Sequence, residues 1–497
     1  MTAVGAPVAS RRAPGAAMGA LVLSGANLIR LGAQLALLPI LARLVGPSDY
    51  GLVALAMPFV LFCNVLADGG LSTALARRQS PSVELESTVF WLAGAIGTSL
   101  ALLACLAAWP LGAAMNQPRL PLLILALSPI LVLSGFTAAA NARVIRERRF
   151  TVFAAGDLIS TFVSGAAALA AALNGWGAWS LAVQQLVLWT CKFAWVVSAS
   201  RLPIRRHCRP SQALDLLRFG AHSLGATLGD FLARNLDNVI VGATLGALSL
   251  GYYAMAYQII RIPDLIISGP LYLLIFSAVA RATTRPDGPA PAQIATAALR
   301  LAAIVLAPLF VGLGIVAGPA VNLVLGDQWT GAVRTLAWLS AAGLGFSLSS
   351  VAAAVLMGLG RSELQFRMAM ASGLCTVAGV ALSVRFGLAT VGATVAVVTL
   401  CAAATYMVVL ARALRTPVRD LLGALAPAVA GSLCMATALL LTRPLWTAWP
   451  PALGLAAAIV LGGAVYGVVI ALLARGRLRA DLQAFGRADE DQARAAA

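Results

Sequence analysis

The chain has 497 residues, of which 60% are apolar and only 11% charged, with a formal charge of +17. Water-soluble domains carry roughly 25% charged residues, so too few are present to clothe a globule of this size. Secreted, cytosolic and disordered classes are excluded, and the composition is that of a polytopic membrane protein.

A helix needs about 20 apolar residues to cross the hydrocarbon. In chain order the sequence predicts fourteen such spans: 18–43, 52–76, 88–110, 120–141, 152–173, 177–199, 216–243, 251–280, 296–317, 333–359, 366–384, 389–411, 420–441 and 452–474. Runs such as 98–108 are apolar on every side, so the expected fold class is an all-α polytopic bundle and not a membrane barrel. The expected organisation is a tail (1–17), an N-terminal lobe of six spans (18–199) and a linker (200–215). A C-terminal lobe of six spans (216–411), an extra hairpin (412–474) and a second tail (475–497) complete it.

The basic residues test that map. With the N-terminus in the cytoplasm, 26 of the 35 fall in cytoplasmic segments, five (Arg43, Arg119, Arg334, Arg385 and Arg443) fall outside, and four lie within spans. A shift by one helix would scramble this bias, so both termini are expected to be cytoplasmic. The Arg11-Arg12 pair precedes an apolar segment of full span length, which reads as an uncleaved first helix rather than a signal peptide.

Several chemistries are disfavoured. Only one lysine exists, Lys192, so no Gly-rich loop ends in Gly-Lys-Ser/Thr and no ATP cradle of that type is present. Seven cysteines are scattered without a CxxC pair and there are two histidines, His207 and His222, so no metal or cofactor is expected. No soluble basic module is visible for nucleic acid. The external loops are stubs with single acids such as Asp49 and Asp327, which gives no carboxylate couple for glycosyl chemistry. An enzyme is therefore not expected.

Residues 46–56 (GPSDYGLVALA) and 246–256 (GALSLGYYAMA) match at four of eleven positions with an offset of 200. Both fall between the first two spans of a six-span block. An even number of spans per block makes the repeats parallel, related by an axis along the membrane normal. Two such lobes would leave the central cleft that alternating access requires.

Ionisable groups at helix centres cost about 2.5–3.5 kcal/mol on the insertion scale, so they face protein, water or ligand. Arg30 lies at the middle of span 1, and the offset of 200 sets it opposite Asp230 on span 7. Asp230, Arg234 and Asp237 share one helix face, and Arg261 and Asp264 are one turn apart on span 8. Span 2 carries Asn64 at its centre and Asp68 a turn further on. One reading has the charges of spans 7 and 8 neutralising each other and pinning helices together. Lys192 and Asp157, near span ends, are expected to be structural or interfacial. Arg30 differs, having no acid within one turn of its own helix, and is the first choice for contacting a substrate phosphate.

The stretch Leu41-Ala-Arg-Leu-Val-Gly-Pro-Ser-Asp-Tyr-Gly51, followed by Val65-Leu-Ala-Asp-Gly-Gly-Leu71, resembles the opening of Wzx-type polysaccharide flippases. These form the polysaccharide-transport branch of the multidrug/oligosaccharidyl-lipid/polysaccharide exporter superfamily. Arg234-Asn-Leu-Asp-Asn-Val-Ile-Val-Gly242 and Leu250-Gly-Tyr-Tyr-Ala-Met-Ala256 resemble the start of that family's second lobe, and Gly326-Asp-Gln-Trp329 its short external motif. The resemblance implies a bacterial inner-membrane flippase that moves an undecaprenyl-diphosphate-linked oligosaccharide outward for surface or exopolysaccharide synthesis. Its implied partners are that lipid-linked oligosaccharide, membrane lipids, and the polysaccharide polymerase and export machinery. Arg30, Arg234, Arg261 and Asn64 are the candidates for diphosphate and sugar. Asp68, Asp230, Asp237 and Asp264 are candidates for ion coupling or helix pairing. The alternatives are a multidrug or cation antiporter of the same superfamily, which usually has twelve spans, and a membrane glycan polymerase.

Overall fold

The computed structural model describes residues 14–78, 81–147, 149–205, 210–284 and 290–496. The tail residues Arg11 and Arg12, and the side chains of Asp230 and Arg234, lie outside the described residues. Thirteen helical stretches among the described residues are long and apolar enough to cross a membrane. One of them, Asn235–Thr283, contains 49 residues, which as one straight helix would run about 74 Å, more than twice the hydrocarbon thickness. It is broken at Gly246, whose φ of 81° and ψ of 176° suit a residue without a side chain. The architecture is the expected all-helical membrane bundle.

The chain forms two compact units, Met1–Phe231 and Leu232–Ala497. The first contains α1 (Pro14–Leu44), α2 (Pro47–Asp68), α3 (Leu71–Arg77), α4 (Val83–Ala114), α5 (Leu120–Leu127), α6 (Pro129–Arg146), α7 (Phe150–Leu173) and α8 (Ala178–Ser200). The stretch GPSDYG, expected as a loop, is instead the first turn of α2. Pro47 presets the backbone at the start of that turn and Asp49 meets the positive end of the helix dipole. The expected span 52–76 is two helices, because Gly69 and Gly70 both take left-handed conformations and end α2 at Asp68. Asn64 therefore lies in the last turns of α2 rather than at a span centre.

Small residues hold α4 against α6. A side chain added at Gly97 would strike the carbonyl of Leu131, and one at Gly135 the carbonyl of Ala93. Close backbone approach of this kind drives helix association where lipid removes the hydrophobic incentive. At the neighbouring end of the unit, Ser82 caps α4 by accepting from the Leu85 amide at 3.2 Å. Glu86, only 3% exposed, is held by Arg143 Nη1 at 3.0 Å and by Arg146 Nη2. The segment after α8 is tied in as well: Ser87 Oγ donates to the Pro203 carbonyl, and Trp91 Nε1 to that of Arg205, both at 3.0 Å. Between α7 and α8, Lys192 Nζ pairs with Asp157 Oδ1 at 2.8 Å and sits 5.2 Å from the centre of the Phe153 ring. That is the structural role expected for both residues.

The second unit takes the C-terminal part of α9 (Pro210–Pro263) and continues through a π-turn (Asp264–Ser268) into α10 (Gly269–Thr284). Then follow α11 (Pro291–Val324), a 3₁₀ turn (Asp327–Ala332), α12 (Val333–Gly358), α13 (Ser362–Ser383) and α14 (Leu388–Leu414). The chain ends with α15 (Val418–Leu441), α16 (Arg443–Thr447) and α17 (Pro451–Ala496). The loop expected over 281–295 is shorter, since α10 runs to Thr284 and α11 begins at Pro291. The hairpin α15/α17 packs on α11, where Tyr466 Oη donates to the Ile304 carbonyl at 2.8 Å. Residues 475–496, expected as a tail, extend α17. The 3₁₀ turn buries Trp329 completely, edge-on to Tyr252, so the Gly326-Asp-Gln-Trp329 motif is anchored by its tryptophan while Asp327 and Gln328 stay exposed. Leucines such as Leu106, Leu382 and Leu472, each at least 75% exposed, cover the outside as a bilayer requires.

Candidate functional site: polar residues within the spans

The two glycine junctions order the polar residues by depth. Arg30 precedes Gly46 by sixteen residues and Asn64 follows it by eighteen. Asp230 precedes Gly246 by sixteen and Asp264 follows it by eighteen. The offset of 200 thus relates Asn64 to Asp264 as well as Arg30 to Asp230. At 1.5 Å per residue these positions lie about 24 and 27 Å along their helices from the junctions.

In the first unit, Arg30 sits midway along α1 and is partly buried. Its Nη2 donates to Asn27 Oδ1 at 3.2 Å, one turn earlier, while its Nε is buried without an acceptor. Among the described residues no carboxylate lies within ion-pair reach of it. The Nδ2 of Asn64 is likewise buried without an acceptor. Leaving a buried donor unsatisfied costs about 1–3 kcal/mol, and a water, an ion or a ligand can each fill such a group. Asp68 is different. Its carboxylate accepts from the Ser72 hydroxyl and from the amides of Gly70 and Ser72, so it caps the start of α3.

In the second unit, Asp237 is 5% exposed and accepts from its neighbour's amide (Asn238) at 2.8 Å and from Tyr253 Oη at 3.0 Å. Tyr253 is fully buried, and its ring meets Tyr257 edge-on at 4.9 Å. Tyr257 in turn lies 6.5 Å from Phe346 on α12. Tyr253, Tyr257 and Arg261 follow one another at intervals of four, so they form a single stripe along the helix. Arg261 closes the stripe as an exposed cation whose charge acts on Asp237. Asp264 opens the π-turn, and among the described residues Arg261 and Asp264 form no ion pair with each other.

The two tyrosines are functional candidates that charge counting passed over. The signal was present in their spacing of four and eight residues before Arg261. Glu86 was also passed over, because Arg143 and Arg146 were counted only as topology anchors.

A family model described as polysaccharide biosynthesis protein matches residues 40–334. The chain is 26% identical over 350 residues to the succinoglycan biosynthesis transport protein ExoT of Rhizobium meliloti, covering 70% of each. It is 24% identical over 353 residues to the lipopolysaccharide biosynthesis protein WzxC of Escherichia coli, covering 69% of this chain and 70% of that one. Its fold is similar to that of the lipid II flippase MurJ in an inward closed conformation. The TM-score is 0.74 at 14% identity, over 92% of this chain and 100% of that one. An inward-facing multidrug resistance MATE family transporter of the MOP superfamily gives 0.61 at 16% identity, over 77% and 94%. The resemblance carried by the motifs at 41–51 and 65–71 is borne out, and this chain belongs to the polysaccharide biosynthesis protein family.

Proposed function

We propose that the chain is a flippase that carries an undecaprenyl-diphosphate-linked oligosaccharide from the cytoplasmic to the outer leaflet of the inner membrane. The observation that carries this reading is Arg30, a membrane-embedded guanidinium with a buried Nε that has no acceptor, in a chain of the polysaccharide biosynthesis family. A diphosphate suits such a group, since its charged oxygens match the planar donors of the guanidinium. Asn64, with its own unfilled donor, is suited to a sugar hydroxyl. In the second unit Arg234 and Arg261 are the further candidates for an anionic cargo. The lipid tail stays in the bilayer, so only the head group needs a polar route.

In this reading spans 1–6 and 7–12 are two lobes that alternate in access, with the extra hairpin as an accessory. Both termini are cytoplasmic in this reading, which the distribution of arginines supports. Asp237 is the acid best placed to carry a coupling ion, since it is buried and has a hydroxyl partner in Tyr253. Asp68 is already engaged in capping and is the weaker candidate. Arg30→Ala should abolish polysaccharide export while leaving the protein inserted at normal levels. Normal export by that variant would overturn the assignment of Arg30.

A further inference from the structure

The first unit holds a cavity of about 320 Å³ that lies away from Arg30 and Asn64, at the Gly46 end of the bundle. Three segments converge on it: the first turn of α2 with Asp49, the start of α5 with Arg119, and the α7–α8 connection with Trp176 and Trp179. Asp49 Oδ1 and Arg119 Nη1 stand 3.9 Å apart, beyond hydrogen-bond length. The Asp49 carboxylate is seated directly over Gly177, where any side chain would collide with it. Both tryptophans line the cavity and are exposed, Trp176 at 55% and Trp179 at 42%.

We propose that this cavity is a saccharide-binding subsite on the outer face of the protein. A pyranose ring presents an apolar C–H face and a rim of hydroxyls. Indole faces pack against the first, a carboxylate accepts from paired hydroxyls, and a guanidinium donates to ring or substituent oxygens. The volume lies at the small end of ligand sites, which span ~300–1,000 Å³, and suits a sugar unit rather than a lipid tail. A phosphate head group is disfavoured because Asp49 would repel it. Tryptophans at span ends commonly anchor in the lipid interface. Here they share a concave site with an acid and a base, which lipid anchoring does not require. The proposal rests on the transport reading for the side it faces: the subsite would receive the leading sugars of the cargo as they emerge.

The test uses the full-length protein in lipid nanodiscs. The probe is the repeat-unit oligosaccharide obtained by partial hydrolysis of the polysaccharide that the host cell exports, with binding read by calorimetry and saturation-transfer NMR. Saturable binding is expected for the wild type. Trp176→Ala and Trp179→Ala should each weaken it roughly three- to tenfold, and Asp49→Asn should weaken it by a similar factor. Trp176→Phe keeps an aromatic face and should bind within about threefold of wild type, which separates lost stacking from lost folding. Absence of saturable binding by the wild type, or alanine variants that bind like wild type, would overturn the subsite. The readout needs no transport, so failure of the flippase reading would show separately as normal export in cells lacking the chain.

Discussion

Tyr253 donates a 3.0 Å hydrogen bond to Asp237 across the helix break at Gly246. The donor lies seven residues after that glycine and the acceptor nine residues before it, so the bond fixes the two arms of the reversal against each other. A buried carboxylate without such partners would be expelled or neutralised. Tyr253 therefore has a structural role, whatever transport role Asp237 plays.

Tyr253→Phe removes the donor and keeps the ring, and should cost about 2 kcal/mol, the value of a hydrogen bond to a charged group. Thermal unfolding in detergent checks this. Asp237→Asn keeps a hydrogen-bonding side chain and removes the charge. If Asp237 carries the coupling ion, that variant should lose the response of vesicle transport to an imposed proton or sodium gradient. A response equal to wild type would remove Asp237 from the coupling scheme.

Glu86 is the acid on which Arg143 and Arg146 converge. Glu86→Ala strands two partly buried guanidinium groups and should destabilise the protein by about 3 kcal/mol or more. Glu86→Gln, which still accepts hydrogen bonds, should fall between that variant and wild type. Unfolding midpoints for the three proteins give the order, and an alanine variant as stable as wild type would show that the cluster contributes nothing.

The Lys192–Asp157 pair calls for a different comparison. Lys192→Met or Asp157→Leu alone leaves one half-buried charge without its partner, and each should be destabilising. The double variant should recover most of the loss, because an apolar pair replaces a half-buried ion pair at little cost. Equal losses in all three would mean that the two residues do not act as a pair.

Much of the fold was legible in the sequence because membrane spans are a length constraint on apolar runs and because arginine marks one side of the bilayer. The boundaries were less legible where glycine and proline acted. Gly69 and Gly70 cut the span expected over 52–76 into α2 and α3, and Pro47 drew an expected loop into α2. The candidate site was legible as charge but not as hydrogen bonding. Arg30 could be picked out as a cation without a local acid, whereas Tyr253 and Tyr257 look apolar to any count of charges. The capping of α3 by Asp68 depends on a left-handed turn that no periodicity reveals.

The central claim is that this chain moves a lipid-linked oligosaccharide between leaflets, and the most direct measurement is the sidedness of that lipid in cells with and without the chain. Deleting the gene should make an undecaprenyl-diphosphate-linked oligosaccharide accumulate in the cytoplasmic leaflet, inaccessible to reagents added outside, and restoring the wild-type chain should clear it. Unchanged levels and sidedness of the lipid-linked sugar in the deletion strain would contradict the account.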